Sequence, residues 1–108
     1  MRTALSALLA LIVISVTSPV MAEAAKLELG KKVFTELAEP GCPICHTLAD
    51  AGAKGEVGPS LDTMKPDFER VETAVSVGVG AMPPYENLTD EQIKAVALYV
   101  AEVAGKTE

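Results

Sequence analysis

The sequence is poor in the residues that usually bind metals and fill large cores. Among its 108 residues it has one histidine, two cysteines and no tryptophan. The only aromatic side chains are Phe34, Phe68, Tyr85 and Tyr99. A single histidine excludes any site that needs two imidazoles. A chain of this length forms one small domain, and such domains usually need a disulfide, a metal or a cofactor to supplement their packing.

Basic residues are also scarce. The chain has 9 lysines and arginines against 15 aspartates and glutamates, which gives a formal net charge of −6 at pH 7. An acidic surface argues against nucleic acid or an anionic membrane surface as a partner. It is compatible with a protein partner that has a basic docking patch.

The N-terminus has the pattern of an export signal. Arg2 supplies a positive charge, residues 4–16 form an apolar run, and small residues precede Glu23. An uncleaved membrane anchor is the alternative, but a bilayer needs about 20 apolar residues. We therefore predict that residues 1–22 are a cleaved secretory signal peptide. Residues 23–108 then form one domain of net charge −7, exported to the periplasm and with no stable membrane insertion.

Three stretches have helical periodicity. Apolar residues recur at spacings of three and four from Lys26 to Leu37 or Ala38 and again over residues 67–77. A last helix starts at Thr89, which forms a capping box with Gln92. Residues 51–66 are rich in glycine and proline, and no strand is predicted. The expected class is all-α, with three main helices and a long ordered loop.

Both cysteines and the histidine lie within five residues, in the string GCPICH. The spacing of Cys42, Cys45 and His46 is the attachment signature of c-type haem, in which both thiols bond to the haem and the histidine binds the iron. A thioredoxin-like dithiol would need strands around it, and structural zinc needs four ligands. A disulfide would close only a tiny loop. We therefore expect one covalently bound haem with His46 as its proximal ligand.

The second axial ligand has to come from another residue type. Thioether sulfur is a common partner of histidine on haem iron. Met1 and Met21 leave with the predicted signal peptide, so Met64 and Met82 are the candidates. Met82 lies between glycines, which allow close approach of the backbone, and prolines, which hold it in place. This context favours Met82 and leaves Met64 open.

These residues resemble the class I c-type cytochromes over nearly all of residues 23–108. In that family the proline of a Gly-Pro-x-Leu string accepts a hydrogen bond from the proximal histidine. The resemblance implies this role for Pro59 toward His46, and it implies that Leu61 packs on the haem. Met82 followed by a proline resembles the axial ligand segment. The implied fold is three helices and an ordered loop around one haem.

The resemblance also implies how the helices meet. The first helix of the family crosses the last one at a small residue. In this chain the first helix would present Gly30 to the helix that contains Tyr99. Gly30 costs about 1 kcal/mol relative to alanine in a helix, and a close crossing would account for it.

Two longer strings, EPGCPICHTLADAGAKGEVGPSLD and AVSVGVGAMPPYENLTDEQIKAVALYVAEVAG, resemble the small cytochromes that accept electrons from periplasmic sulfite dehydrogenases, which are molybdenum enzymes. This implies an electron carrier that is not itself an enzyme. Its acceptor would be another cytochrome c or a terminal oxidase. The alternatives are a general periplasmic carrier with another donor, and a haem enzyme or gas sensor with an open sixth iron position.

Overall fold

The computed structural model describes residues 3–4, 6–16 and 18–106. Arg2 of the predicted signal and the last two residues of the predicted domain lie outside this part of the chain. The described helices are α1 (Pro19–Lys32), α2 (Leu61–Met64), α3 (Phe68–Val77) and α4 (Asp90–Val103). A π-helical continuation of α1 spans Val33–Leu37, and two 3₁₀ turns span Cys42–Ile44 and Ala49–Ala51. Two short strands are β1 (Thr47–Leu48) and β2 (Ala53–Lys54).

The mostly helical prediction is confirmed, with one boundary moved. The first helix begins at Pro19 rather than at Lys26, because proline at a first helical position is favourable and no breaker follows it. The π-helical continuation of α1 ends at Leu37, where the Ala38 backbone N–H donates to the Val33 carbonyl at 3.0 Å. Packing of α1 against the rest of the protein begins only at Leu27.

Both later long helices begin with a side-chain cap. The Asp67 carboxylate accepts from the Arg70 backbone N–H at 2.8 Å, at the start of α3. At the start of α4, the Thr89 hydroxyl accepts from the Gln92 N–H and the Gln92 side chain accepts from the Thr89 N–H. The predicted capping box is therefore confirmed. Each cap supplies an acceptor for an N–H that has no partner inside the helix.

The prediction of no strand was wrong. β1 and β2 pair in antiparallel fashion around Gly52, which has a left-handed conformation with φ of 63°. Two residues per strand are too few to show the alternation by which strands are identified in a sequence. Helix α2 also lies in the segment expected to be loop, and the Ser60 hydroxyl caps it by accepting from the Thr63 N–H at 3.3 Å.

Helices α1 and α4 cross at Gly30, as the resemblance implied. A Cβ atom on Gly30 would overlap the Ala95 carbonyl oxygen and lie 2.5 Å from the Tyr99 Cβ atom. Beside the crossing, the rings of Phe34 and Tyr99 meet edge to face, with centroids 6.1 Å apart. The Tyr99 hydroxyl donates to the Asp50 carboxylate at 2.5 Å. The crossing therefore combines close backbone approach with the best-buried aromatic pair of the core.

Asp62 joins the C-terminal end of α4 to the middle of the chain. One carboxylate oxygen accepts from the Ala49 N–H and the other from the Gly105 N–H, both at 2.8 Å. The end of α4 is thereby attached to the loop that follows the cysteines.

The N-terminal residues lie apart from this packing. Residues 6–16 have no regular secondary structure and are exposed. Across the described ranges, no helix combines the length and the apolar character that crossing a membrane would require.

Candidate functional site

The cysteine turn, residues 40–46, is compact. Cys42–Ile44 form a single 3₁₀ turn, and the N–H groups of Cys45 and His46 both donate to the Cys42 carbonyl, at 3.2 and 3.0 Å. Cys42 is buried and Cys45 is partly buried. The turn therefore presents two thiols and one imidazole from five consecutive residues.

Burial is the main reason why the pKa of the Cys42 thiol is raised to about 11. At neutral pH this thiol is protonated. A redox dithiol of the thioredoxin type depends on a thiolate stabilised by a lowered pKa. The environment of Cys42 is the opposite of that, so the structure supports the prediction that the pair is not such a dithiol.

His46 is held by the next loop. Its Nδ1 lies 2.8 Å from the Pro59 carbonyl oxygen, 13 residues along the chain. A carbonyl can only accept, so in the neutral imidazole Nδ1 carries the proton and Nε2 keeps its lone pair. This is the contact that the resemblance implied. It fixes the tautomer and the ring plane in the way that supporting residues orient a metal-binding histidine.

A glycine loop, residues 55–59, packs closely against the cysteine turn. A Cβ on Gly55 would lie 2.6 Å from the Cys45 carbonyl carbon, and one on Gly58 would lie 2.6 Å from Cε1 of His46. The Gly58 N–H donates to the Cys45 carbonyl at 2.6 Å. Both positions need glycine because there is no room for a side chain. Sequence reasoning did not assign them this role, although the glycine-rich composition of the loop was a signal.

The two candidate methionines lie in different surroundings. Met64 is the last residue of α2 and is partly buried. Met82 packs against the hydrophobic core within the methionine segment, residues 78–85. There, Val79 and Met82 exchange backbone hydrogen bonds of 3.0 and 2.9 Å. Gly78 starts the segment with φ of 77°, which favours glycine.

Leu61 and Tyr85 complete the surroundings. Leu61 is buried in the core at the start of α2. Tyr85 is 7 % exposed, and its hydroxyl donates to the Pro40 carbonyl at 2.7 Å, just before the cysteines. Sequence reasoning missed this contact. No local pattern could have shown it, because its two residues are 45 positions apart.

This donor set fits a covalently attached haem. Two thiols on one turn can form two thioethers, and the adjacent imidazole has a free Nε2 and a fixed orientation. Structural zinc needs four ligands, and the turn supplies three. The fold and the turn together are those of a small haem-binding electron-transfer domain.

Comparisons with known proteins agree with this class. A family model described as cytochrome c oxidase, cbb3-type, subunit III matches residues 25–100. Cytochrome c6 of Gloeothece citriformis is 36% identical over an alignment of 86 residues, with 71% of each chain covered. The crystal structure of the c-type cytochrome SorU from Sinorhizobium meliloti is similar with a TM-score of 0.77 and 62% identity, covering 79% of this chain and 98% of that one.

The chain therefore belongs to this family of c-type cytochromes. It is a monohaem electron carrier, not an enzyme, and its Cys-x-x-Cys pair implies one covalent haem c.

Proposed function

We propose that this cytochrome is a periplasmic carrier that takes electrons one at a time from a sulfite dehydrogenase and passes them to another cytochrome c or a terminal oxidase. The observation that carries the proposal is the 62% identity to SorU over 98% of that chain. The strings around both the cysteine turn and the methionine segment also resemble cytochromes that serve sulfite dehydrogenases. The acidic composition suits a donor with a basic docking surface.

Cys42 and Cys45 would hold the haem through thioethers, with His46 and Met82 as the iron ligands. When bound, the haem supplies an iron that alternates between Fe(II) and Fe(III). The chain's part is to keep the ligands in place: Pro59 orients His46, and Leu61 contributes apolar packing. Fixed ligands in a dry pocket keep the rearrangement that accompanies electron transfer small.

Export is part of the proposal. The described residues that cleavage after Ala22 would remove are all exposed, and packing of α1 against the core begins at Leu27. Ten residues of α1 would remain, from Glu23 to Lys32. The packed domain described here would therefore be retained after cleavage.

We infer a docking surface from the exposed apolar side chains of three segments. Ile44 in the cysteine turn, Val57 in the glycine loop and Val79 in the methionine segment are 65%, 82% and 63% exposed. All three belong to the segments that surround the proposed haem. Short-range electron transfer requires docking at such a face, and apolar contacts that form and break readily suit a transient complex.

Stopped-flow reduction tests the donor directly. The oxidised holoprotein is mixed with a purified sulfite dehydrogenase and sulfite, and haem absorption is followed. We expect rapid reduction that slows as ionic strength rises, because opposite charges accelerate encounter.

Omitting sulfite is the control. Slow reduction here, together with fast reduction by other periplasmic donors, would favour a general carrier. The similarity to cytochrome c6 makes this general role the second candidate.

Gly58→Ala tests the support of His46. The added methyl group would meet the imidazole ring at 2.6 Å from Cε1 and 2.9 Å from Nδ1, so the ring or the glycine loop has to shift. We expect the holoprotein to lose about 1–2 kcal/mol of unfolding free energy, as overpacking typically costs, and its reduction potential to shift. Denaturant unfolding and redox titration are the measurements.

Gly41→Ala is the matched control for this change. Its new methyl group would have ordinary contacts only, the nearest at 3.7 Å from Pro43. Equal effects of the two substitutions would contradict a specific role for Gly58.

A further inference from the structure

Tyr85 connects three parts of the fold. Its backbone N–H donates to the Val75 carbonyl at 2.9 Å, which fastens it to α3. Its buried hydroxyl donates to the Pro40 carbonyl at 2.7 Å, in the cysteine turn. The hydroxyl also lies beside the Cys42 thiol. The residue therefore spans from the methionine segment to the residues that would attach the haem.

Few hydrogen bonds attach the methionine segment to the first half of the protein. The exchange between Val79 and Met82 is local and only closes the turn. Within the described residues, two hydrogen bonds join residues 78–87 to residues 33–46. One is from Tyr85 to Pro40, and the other is from the Asn87 side chain to the Leu37 carbonyl at 3.1 Å. The Tyr85 bond is the shorter and the better buried of the two.

We propose that Tyr85 is a positioning residue: by bonding Pro40 it holds the methionine segment against the cysteine turn and keeps the Met82 sulfur on the iron. This rests on the proposed function, in which Met82 is the distal ligand. Without the hydroxyl, the segment would open more readily and an outside ligand would replace the sulfur. In that exchange the sulfur-to-iron bond breaks, a bond from an imidazole nitrogen forms, and the iron remains ferric.

Imidazole binding to the ferric holoprotein measures this opening. The Tyr85→Phe variant keeps the ring that packs in the core and removes only the hydroxyl. We expect its apparent affinity for imidazole, followed by loss of the sulfur-to-iron absorption, to rise about three- to tenfold, as loss of one hydrogen bond predicts. Asn87→Ala, which removes the second link, is expected to shift the affinity in the same direction by less.

Tyr99→Phe is the matched control. It also removes one buried hydroxyl, which bonds Asp50 beside the α1–α4 crossing, away from the methionine segment. We expect it to lower stability and leave imidazole affinity within about twofold of wild type. If Tyr85→Phe has wild-type affinity, or if Tyr99→Phe raises affinity equally, the hydroxyl is merely structural and the proposal is wrong.

Failure of the ligand assignment gives a different result. If the Met82→Ala variant keeps the sulfur-to-iron absorption of the wild type, Met82 is not the ligand. The proposed role of Tyr85 would then be refuted together with the ligand assignment. If the sulfur-to-iron absorption is lost in Met82→Ala but the imidazole affinity is unchanged in Tyr85→Phe, only the positioning role of Tyr85 is refuted.

Discussion

Met82→Ala is expected to abolish the sulfur-to-iron absorption of the ferric protein and to lower its reduction potential. Thioether ligation raises the potential of haem iron, because sulfur favours the ferrous state. Alanine has no donor atom, so water or an outside ligand would take the position. The reduced variant should also bind carbon monoxide readily, whereas the wild type should bind it poorly. Optical spectra, redox titration and carbon monoxide binding are the three measurements.

Met64→Ala is the control for Met82. Met64 ends α2, outside the methionine segment, so its loss should leave the absorption and the potential close to wild type. The reverse result would assign the ligand to Met64. If neither substitution changes the spectrum and the wild type binds carbon monoxide readily, the sixth position is open, as in a haem enzyme or gas sensor.

Gly30→Ala is expected to destabilise the protein by about 1–2 kcal/mol, the cost of overpacking less the gain in helix propensity. Helix propensity alone predicts the opposite sign, because alanine in a helix interior is favoured over glycine by about 1 kcal/mol. The added methyl group, however, would overlap the Ala95 carbonyl oxygen and crowd the Tyr99 Cβ atom. Both obstacles belong to helix α4, so α1 would have to shift. Overpacking of this kind costs up to about 3 kcal/mol, a large part of the 5–15 kcal/mol typical of a domain.

Denaturant unfolding of the holoprotein measures the effect of Gly30→Ala. Gly41→Ala makes the same chemical change at a position with room for it and should alter stability little. A Gly30→Ala protein as stable as wild type, or more stable, would show that the two helices separate at little cost. The sign of the change therefore distinguishes close packing from local helix propensity.

Local patterns were informative where the determining contacts are close in sequence. The capping box of α4 needs only Thr89 and Gln92, and the attachment motif lies within five residues. Gly30 was conspicuous because a glycine inside a helical pattern is costly. The family resemblance implied that the helix containing Tyr99 crosses there, and the structure shows this crossing.

Predictions failed or were missing where the evidence lies in distant or very short elements. The β1–β2 hairpin has two residues per strand, too few for a periodic signal. The start of α1 was placed too late, because residues 1–22 were assigned to the signal peptide, whereas the helix begins at Pro19 and continues unbroken past Lys26. The closeness of Gly58 to the imidazole ring depends on how residues 55–59 fold back.

The sequence by itself determined the chemistry of this protein. Cys42, Cys45 and His46 are adjacent, so their joint fitness for covalent haem needs no tertiary information. The family resemblance implied the contact of Pro59 with His46, and only the tertiary structure showed the other contacts that hold this chemistry in place. Pro59 reaches His46 across 13 residues, Tyr85 reaches Pro40 across 45, and Asp62 reaches Gly105 across 43. Such contacts depend on how the helices pack, and packing is a property of the whole chain rather than of any short stretch.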